Sequence, residues 1–135
     1  MSVLALLGRQ LEALPAVRLA AAFGSVARGD ERKGSDVDLG LLLEPDSAAV
    51  RQEVEAALAR ATERDIDVVY LNEAPPLLRF EVSRDGRLLV ERGAHEWSDF
   101  RAHAMIDWWD WAPTARRIAD AAIARLRERV SDGTP

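Results

Sequence analysis

Two aspartates separated by one residue stand directly before an apolar run. Asp36 and Asp38 precede residues 39–43, whose leucines predict a buried strand. Because side chains alternate along a strand, both carboxylates would project from one face, roughly 6.5 Å apart. Two such carboxylates repel each other unless a cation lies between them or one takes up a proton. The pair therefore indicates a site for a divalent cation bound through oxygen.

A third acid occupies a similar position in a later apolar segment. Asp67 is flanked by Ile66 and Val68, so it lies inside a predicted strand, where an acid needs a specific reason. Asp65 follows Arg64 and is interpreted as closing a helix-to-strand turn. If the two strands are neighbours, Asp36, Asp38 and Asp67 converge, which suits a two-metal site for phosphoryl transfer. Mg²⁺ prefers such oxygen ligands, with substrate phosphates filling the remaining positions.

A glycine–serine pair offers a place for those phosphates. Gly24 and Ser25 end an apolar run at residues 17–23, and glycine lets the backbone turn tightly and approach a phosphate closely. Ser25 adds a hydroxyl, and the next residues open a helical turn whose N–H groups favour an anion. Arg28 lies one turn further on. It is interpreted either as an added positive charge at the phosphates or as a surface ion-pair partner.

The elements that must position these residues follow from apolar periodicity and from turn residues. Strands are predicted at residues 17–23, 36–43, 65–71 and 87–91. Helices are predicted at residues 3–14, 48–62, 77–83 and 95–130, and Pro113 either kinks the last helix or opens a second one. This order predicts an α/β or α+β fold, a small mixed sheet packed by helices with a helical C-terminal part at about residues 94–130.

Composition limits the class of protein. With 135 residues, 48 % of them hydrophobic, the chain is expected to form a single domain, residues 1–135. The absence of cysteine excludes thiolate metal sites and thiol nucleophiles. No apolar run reaches the length of a membrane span, so we expect a cytoplasmic protein with no membrane association. The net charge of −5 argues against direct binding to a long nucleic acid.

These motifs together resemble the minimal nucleotidyltransferase (MNT) family of the polymerase-β superfamily. The family pattern of Gly-Ser, Ala-Arg-Gly and Ser-Asp-x-Asp-Leu appears here as GSVARG and SDVDL, with the third acid in IDVVYL. The resemblance covers about residues 17–71, which would be the catalytic core. Its specificity comes from several motifs occurring together, in order, at strand ends.

The resemblance implies a polymerase-β-type nucleotidyltransferase fold, ATP as substrate and Mg²⁺ as cofactor, with two ions. It implies that Asp36 and Asp38 bind metal. By the same resemblance, Asp67 would bind the second ion and accept a proton from the acceptor hydroxyl. Ser25 and Gly24 would hold the terminal phosphates. Arg28 and Ser35 fall within the matching motifs and are candidate nucleotide contacts.

Small MNT proteins also resemble the antitoxin half of two-gene systems whose other half is a HEPN-domain ribonuclease toxin. This implies transfer of AMP to a tyrosine of the toxin (AMPylation). Two alternatives remain, namely a non-catalytic antitoxin that acts by binding and a small-molecule adenylyltransferase of the aminoglycoside type. Aromatic residues at helical spacing, including Trp97, Phe100, Trp108 and Trp111, are either core or a partner-facing stripe. They are compatible with a homo-oligomer or a hetero-complex.

Overall fold

The computed structural model describes residues 2–27, 29 and 36–132. A four-stranded mixed sheet lies at the centre of this part of the chain. Its strands are β1 (Val17–Phe23), β2 (Val37–Leu43), β3 (Ile66–Tyr70) and β4 (Arg87–Glu91). Their spatial order is β3-β2-β1-β4. The pair β1–β2 is antiparallel, as is β1–β4, whereas β2 and β3 are parallel.

The described residues form five helices around this sheet. They are α1 (Val3–Glu12), α2 (Gly24–Ala27), α3 (Ala48–Ala61), α4 (Pro76–Asp85) and α5 (Glu96–Asp132). Serine side chains cap two of them, because Ser2 Oγ accepts from the Ala5 N–H and Ser47 Oγ accepts from the Val50 N–H. Such caps satisfy N–H groups that have no partner within the helix.

Each face of the sheet has its own apolar core. On one face α1 and α3 cover alternate residues of the strands, including Val37, Leu39 and Leu41. On the opposite face α4 and α5 pack on Leu19, Ala21 and Phe23, among others. We call these the α3 face and the α4 face. This alternation explains why β1 and β2 read as almost continuous apolar segments, since both of their faces are covered.

Gly40 in β2 sets how closely α4 approaches the sheet. A Cβ at this position would lie 3.3 Å from side-chain atoms of both Leu71 and Val82. The contact marks Gly40 as a residue of the α4 face. A larger residue would therefore push α4 away from the strand that carries Asp38.

The predicted fold class is confirmed, a mixed α+β sheet packed by helices with a helical C-terminal part. All the predicted strands and helices are present, with ends that differ by at most two residues from the predicted ones. Pro113 lies inside a single helix, α5, so it does not open a second one. Within the described residues no helix has the combination of length and apolar character needed to cross a bilayer.

Arg92 holds the end of α1 against the start of β1. Its guanidinium donates to the backbone carbonyls of Val17, Leu14 and Glu12 at 2.9, 2.9 and 2.6 Å, and to that of Leu11 at 3.3 Å. The last carbonyls of a helix have no partner within it, so these bonds satisfy groups that folding removes from water. One side chain after β4 thereby ties together three elements.

We expect Arg92→Met to lower the free energy of unfolding by about 2–4 kcal/mol, because the carbonyls of Val17 and Glu12 lose this charged donor. The carbonyls of Leu11 and Leu14 keep backbone N–H donors. Arg92→Lys should recover only part of this loss, since one ammonium cannot match the guanidinium fork. Urea unfolding followed by circular dichroism measures the effect. Arg87→Met, at an exposed position of β4, serves as control, and equal losses in both variants would contradict the assignment.

Tyr70 belongs to a polar network on the α3 face. Its hydroxyl donates to Glu55 Oε1 at 2.9 Å, and the Arg51 guanidinium lies 4.1 Å from its ring centroid. Arg51 is held by Asp46 and Glu73 in turn. Burial, followed by the hydrogen bond to Glu55, raises the pKa of Tyr70 to about 12. The neutral phenol is the form that the folded protein favours.

Tyr70 is the chain's single tyrosine, so ultraviolet absorbance titration observes it alone. We expect a midpoint near 12 in the folded protein and a lower midpoint in Glu55→Gln. Because the folded pKa lies above the unfolded value of about 10, this group's stabilising contribution is complete below pH ~10 and is lost as pH rises towards the folded pKa. A midpoint near 10 in the folded wild-type protein would contradict the network.

Candidate active site

The pairing of β2 with β3 brings two of the predicted metal ligands side by side. Asp38 and Asp67 are direct Cα partners in the parallel register of the two strands. Neighbouring strands lie about 4.8 Å apart, and partners in register project from the same face. Asp38 is half-buried, whereas Asp67 is exposed. The second and third predicted strands are therefore neighbours, which is the arrangement that brings Asp67 beside Asp38.

Both carboxylates lie on the α4 face. The neighbours of Asp38 in β2, Val37 and Leu39, pack into the opposite core, and so do Ile66 and Val68 on either side of Asp67. Val69 and Gly40, two residues further along their strands, meet the α4 core. The acids thus occupy the start of the two strands, beyond the apolar contacts that α4 makes.

Asp36 lies one residue before β2 and is exposed. Among the residues that the structure describes, no three acidic or histidine side chains are grouped closely enough to enclose a metal ion. The protein alone thus places two acids together, with a third close in sequence outside the strand. Any ion bound here would take further oxygen ligands from a substrate.

Gly24 lies against the carboxylate of Asp38. Phe23, the last residue of β1, is the Cα partner of Asp38, and Gly24 follows with φ of 72°. A Cβ on Gly24 would lie 2.4 Å from Asp38 Oδ2. The positive φ favours glycine, and a Cβ here would displace the Asp38 carboxylate. The turn that starts the predicted phosphate-binding motif is therefore in direct contact with a predicted metal ligand.

Ser25 lies in α2, which has only four residues. So short a helix has little macrodipole, so anion binding at this turn would rely on its N–H groups and on the Ser25 hydroxyl. Ser25 is half-buried. Arg28 and Ser35, the remaining candidate nucleotide contacts, lie outside the described residues.

Asp65, which the sequence suggested closes a turn, is placed apart from Asp67. It precedes β3 and lines a cavity of about 640 Å³ whose walls include Leu58 of α3 and Val68. Leu58 and Val68 belong to the α3 core. This cavity therefore opens on the other side of the sheet from Asp38 and is not part of the candidate site.

Gly40 was not among the residues that the sequence patterns predicted for the site. Its signal was a glycine within an otherwise apolar strand, which marks a close approach of another element. Gly40 follows Asp38 by two residues on the same face, so it sets how closely α4 packs beside the candidate site.

This architecture, with a Gly-Ser turn facing paired strand acids, is that of a nucleotidyltransferase. The model of the family described as "Polymerase beta, Nucleotidyltransferase" matches residues 7–95, and the chain belongs to this family. The match contains the sheet and every candidate site residue. A search of curated proteins found no match.

Several solved structures share the fold. A crystal structure of a toxin–antitoxin with AMP-PNP is 24 % identical, with a TM-score of 0.73, covering 85 % of this chain and 94 % of that one. A structure of the tri-AMPylated Shewanella oneidensis HEPN toxin in complex with MNT antitoxin gives a TM-score of 0.68 at 22 % identity, with coverage of 89 % and 98 %. The MntA–HepT toxin–antitoxin gives a TM-score of 0.67 at 23 % identity, with coverage of 85 % and 92 %.

Proposed function

We propose that this chain is a Mg²⁺-dependent protein adenylyltransferase that moves AMP from ATP to a tyrosine hydroxyl of a HEPN-type partner protein. The observation that carries the proposal is the contact of Gly24 with Asp38, in a register that sets Asp38 beside Asp67. A phosphate-binding turn and paired carboxylates are thereby joined at one end of the sheet. Phosphoryl-transfer chemistry requires both together.

The donor set fits Mg²⁺. Asp38 and Asp67 supply carboxylate oxygens from neighbouring strands, and Asp36 adds a third from the segment before β2. Phosphate oxygens and water would complete the octahedral set that this ion demands. When bound, Mg²⁺ would neutralise the charge of the triphosphate. Only two of the three acids are paired in register by the protein alone. This is consistent with a metal site whose ligand set is completed when the nucleotide binds.

The residues of the chain have separate tasks in the proposed reaction. Gly24 and Ser25 would hold the terminal phosphates through backbone N–H groups and the serine hydroxyl. The acceptor oxygen bonds to the α-phosphorus, the bond from that phosphorus to the bridging oxygen breaks, and pyrophosphate leaves. Asp67, exposed at the start of β3, would take the proton of the acceptor hydroxyl as general base. Arg28 and Ser35 remain candidate nucleotide contacts.

The partner assignment draws on what the similar structures contain. An MNT antitoxin of this fold is bound to an AMPylated HEPN toxin, and a toxin–antitoxin of this fold was crystallised with AMP-PNP. Transfer of AMP to the partner would make this chain an antitoxin. The exposed side of Asp67 leaves the acceptor position open to another molecule.

A second candidate is an antitoxin that neutralises its partner by binding alone. The observation that favours it is that the described residues contain no ready-made group of three metal-binding side chains. Under this hypothesis the site would be a scaffold, and neutralisation would survive substitution of Asp38.

Intact mass spectrometry separates the two candidates. The protein encoded by the neighbouring gene is incubated with the chain, ATP and Mg²⁺, and the matched control is Asp36→Asn/Asp38→Asn. Added AMP that disappears in the control supports the transferase, its donor and its acceptor together. An unchanged mass, with complex formation by both versions, would replace the transferase with the binding antitoxin.

A further inference from the structure

Only the first part of the last helix packs against the body of the domain. α5 has 37 residues, about 55 Å of helix. Its first part contributes Phe100 and Ala104 to the α4 core, with Trp97 packed beside them. From residue 116 to residue 130 every side chain is exposed. This second part extends past the body of the domain.

The apolar stripe that attaches α5 to the body continues along this extension. Helical spacing carries it from Phe100, Ala104 and Trp108 to further apolar residues on the same side. We call this continuation the C-terminal stripe, and it consists of Ala112, Ala115, Ile118, Ala119, Ala122, Ile123 and Leu126. Ile118, Ile123 and Leu126 are 58, 47 and 59 % exposed. Large apolar side chains repeated along one side of an exposed helix are typical of a docking surface.

Charge distinguishes the extension from the rest of the chain. Residues 113–130 contain five arginines and two acids, although acids outnumber basic residues over the whole chain, which has a net charge of −5. At helical spacing, Arg125 borders the C-terminal stripe on one side, Arg116 and Arg127 border it on the other, and Arg129 follows Leu126 at its C-terminal end. A surface that fits it must therefore offer apolar side chains with carboxylates beside them.

We infer that the C-terminal stripe is the docking surface for the protein acceptor, and that it binds an α-helical face whose apolar row is bordered by acidic residues. This inference rests on the proposed function for the identity of the partner. It adds a surface distinct from the Asp38 site. The stripe would hold the acceptor protein on α5 while a tyrosine of the acceptor protein reaches the start of β2 and β3.

The stripe's composition favours a helix as its occupant. Four alanines at three- and four-residue spacing leave a shallow channel, and the larger apolar side chains flank or extend it. Small residues let another helix approach closely. A second copy of the same extension would bring arginines against arginines, which opposes self-pairing. Lipid binding by basic amphipathic helices typically uses aromatic anchors, and the stripe beyond residue 112 contains none.

The test is the dissociation constant for the proposed HEPN-type partner, taken as the protein encoded by the neighbouring gene and measured by isothermal titration calorimetry with the full chain. The variant Ile123→Glu/Leu126→Glu places two charges on the stripe. Its matched control, Ala121→Glu/Ala124→Glu, has the same charge and spacing on the opposite side of the helix. Circular dichroism verifies that helix content is equal in both.

We expect the stripe variant to bind at least ~100-fold more weakly and the control to bind within ~3-fold of wild type, because only the former loses apolar burial at the contact. Higher salt should weaken wild-type binding, since arginines border the stripe. Asp36→Asn/Asp38→Asn should keep wild-type affinity, which separates docking from transfer.

Each other result is decisive. Wild-type affinity in the stripe variant overturns the docking surface and leaves the transferase intact. Stripe-dependent binding without added AMP mass supports docking and removes the proposed transfer. Two results instead identify a different occupant and overturn the inference. One is a concentration-dependent homo-oligomer that the stripe variant abolishes, with no complex with the HEPN-type protein. The other is stripe-dependent binding to phosphatidylserine vesicles, again with no such complex.

Discussion

Asp38→Asn is expected to reduce AMP transfer by about 10³-fold or more, equivalent to about 4 kcal/mol of transition-state stabilisation. Asp38 is the residue where the parts of the site meet, since it pairs with Asp67 in register and its Oδ2 faces Gly24. Asparagine has nearly the same shape but lacks the charge that would bind Mg²⁺ in the proposed site. The fold should therefore be retained, while the proposed ion would lose a main ligand and the triphosphate would lose the charge neutralisation that the ion supplies.

Transfer is measured as the initial rate of AMP incorporation into the acceptor protein, with thermal unfolding followed in parallel. Asp65→Asn is the matched control, because Asp65 precedes β3 and lines the cavity beside α3. Asp67→Asn should lower the rate strongly, whereas Asp65→Asn should leave it within ~3-fold. Equal losses at Asp65 and Asp67, or full activity without the Asp38 carboxylate, would remove the site assignment.

Gly24→Ala is expected to combine backbone strain with loss of activity. With φ of 72°, an alanine pays the cost of a left-handed backbone, and its Cβ would collide with Asp38 Oδ2. Strain of this kind costs about 1–3 kcal/mol. Displacing the carboxylate should also lower the transfer rate by ~100-fold or more, since positioning errors of about 1 Å can have effects of this size.

Gly29→Ala separates the effect of backbone strain from the effect of displacing the Asp38 carboxylate. Gly29 has a similar φ of 79°, but a Cβ there would meet nothing within 4 Å. This variant should therefore show the strain, about 1 kcal/mol in urea unfolding, with a smaller effect on transfer. If Gly29→Ala lowered the transfer rate as much as Gly24→Ala, the contact with Asp38 would not be the reason for glycine at position 24.

The sequence predicted the elements well because their periodicities were unambiguous. β1 and β2 are covered on both faces, which produced continuous apolar runs, and Ser47 gave a clear N-cap for α3. The strand order and the parallel register of β3 required long-range pairing, which local patterns do not encode. The continuity of α5 through Pro113 was left open, because proline both kinks and opens helices.

The candidate site was predictable at the level of residue types but not of arrangement. Asp36, Asp38 and Asp67 were selected as acids beside apolar residues. The structure pairs Asp67 with Asp38 but leaves Asp36 outside the strand, and this difference depends on where β2 begins and on its register with β3. Among the C-terminal aromatic residues, periodicity alone could not divide core from surface. Phe100 is buried and Trp111 is 40 % exposed, although both lie on the same predicted stripe.

The position of Tyr70 has a consequence for reaction kinetics. Its hydroxyl is bonded to Glu55 on the α3 face, while Asp38 and Asp67 lie on the α4 face of the same sheet. The sheet thus separates the chain's single tyrosine from its proposed catalytic groups. A molecule of this protein cannot label its own Tyr70 in an intramolecular step. Any such labelling would be bimolecular, with a rate that rises as the square of the protein concentration.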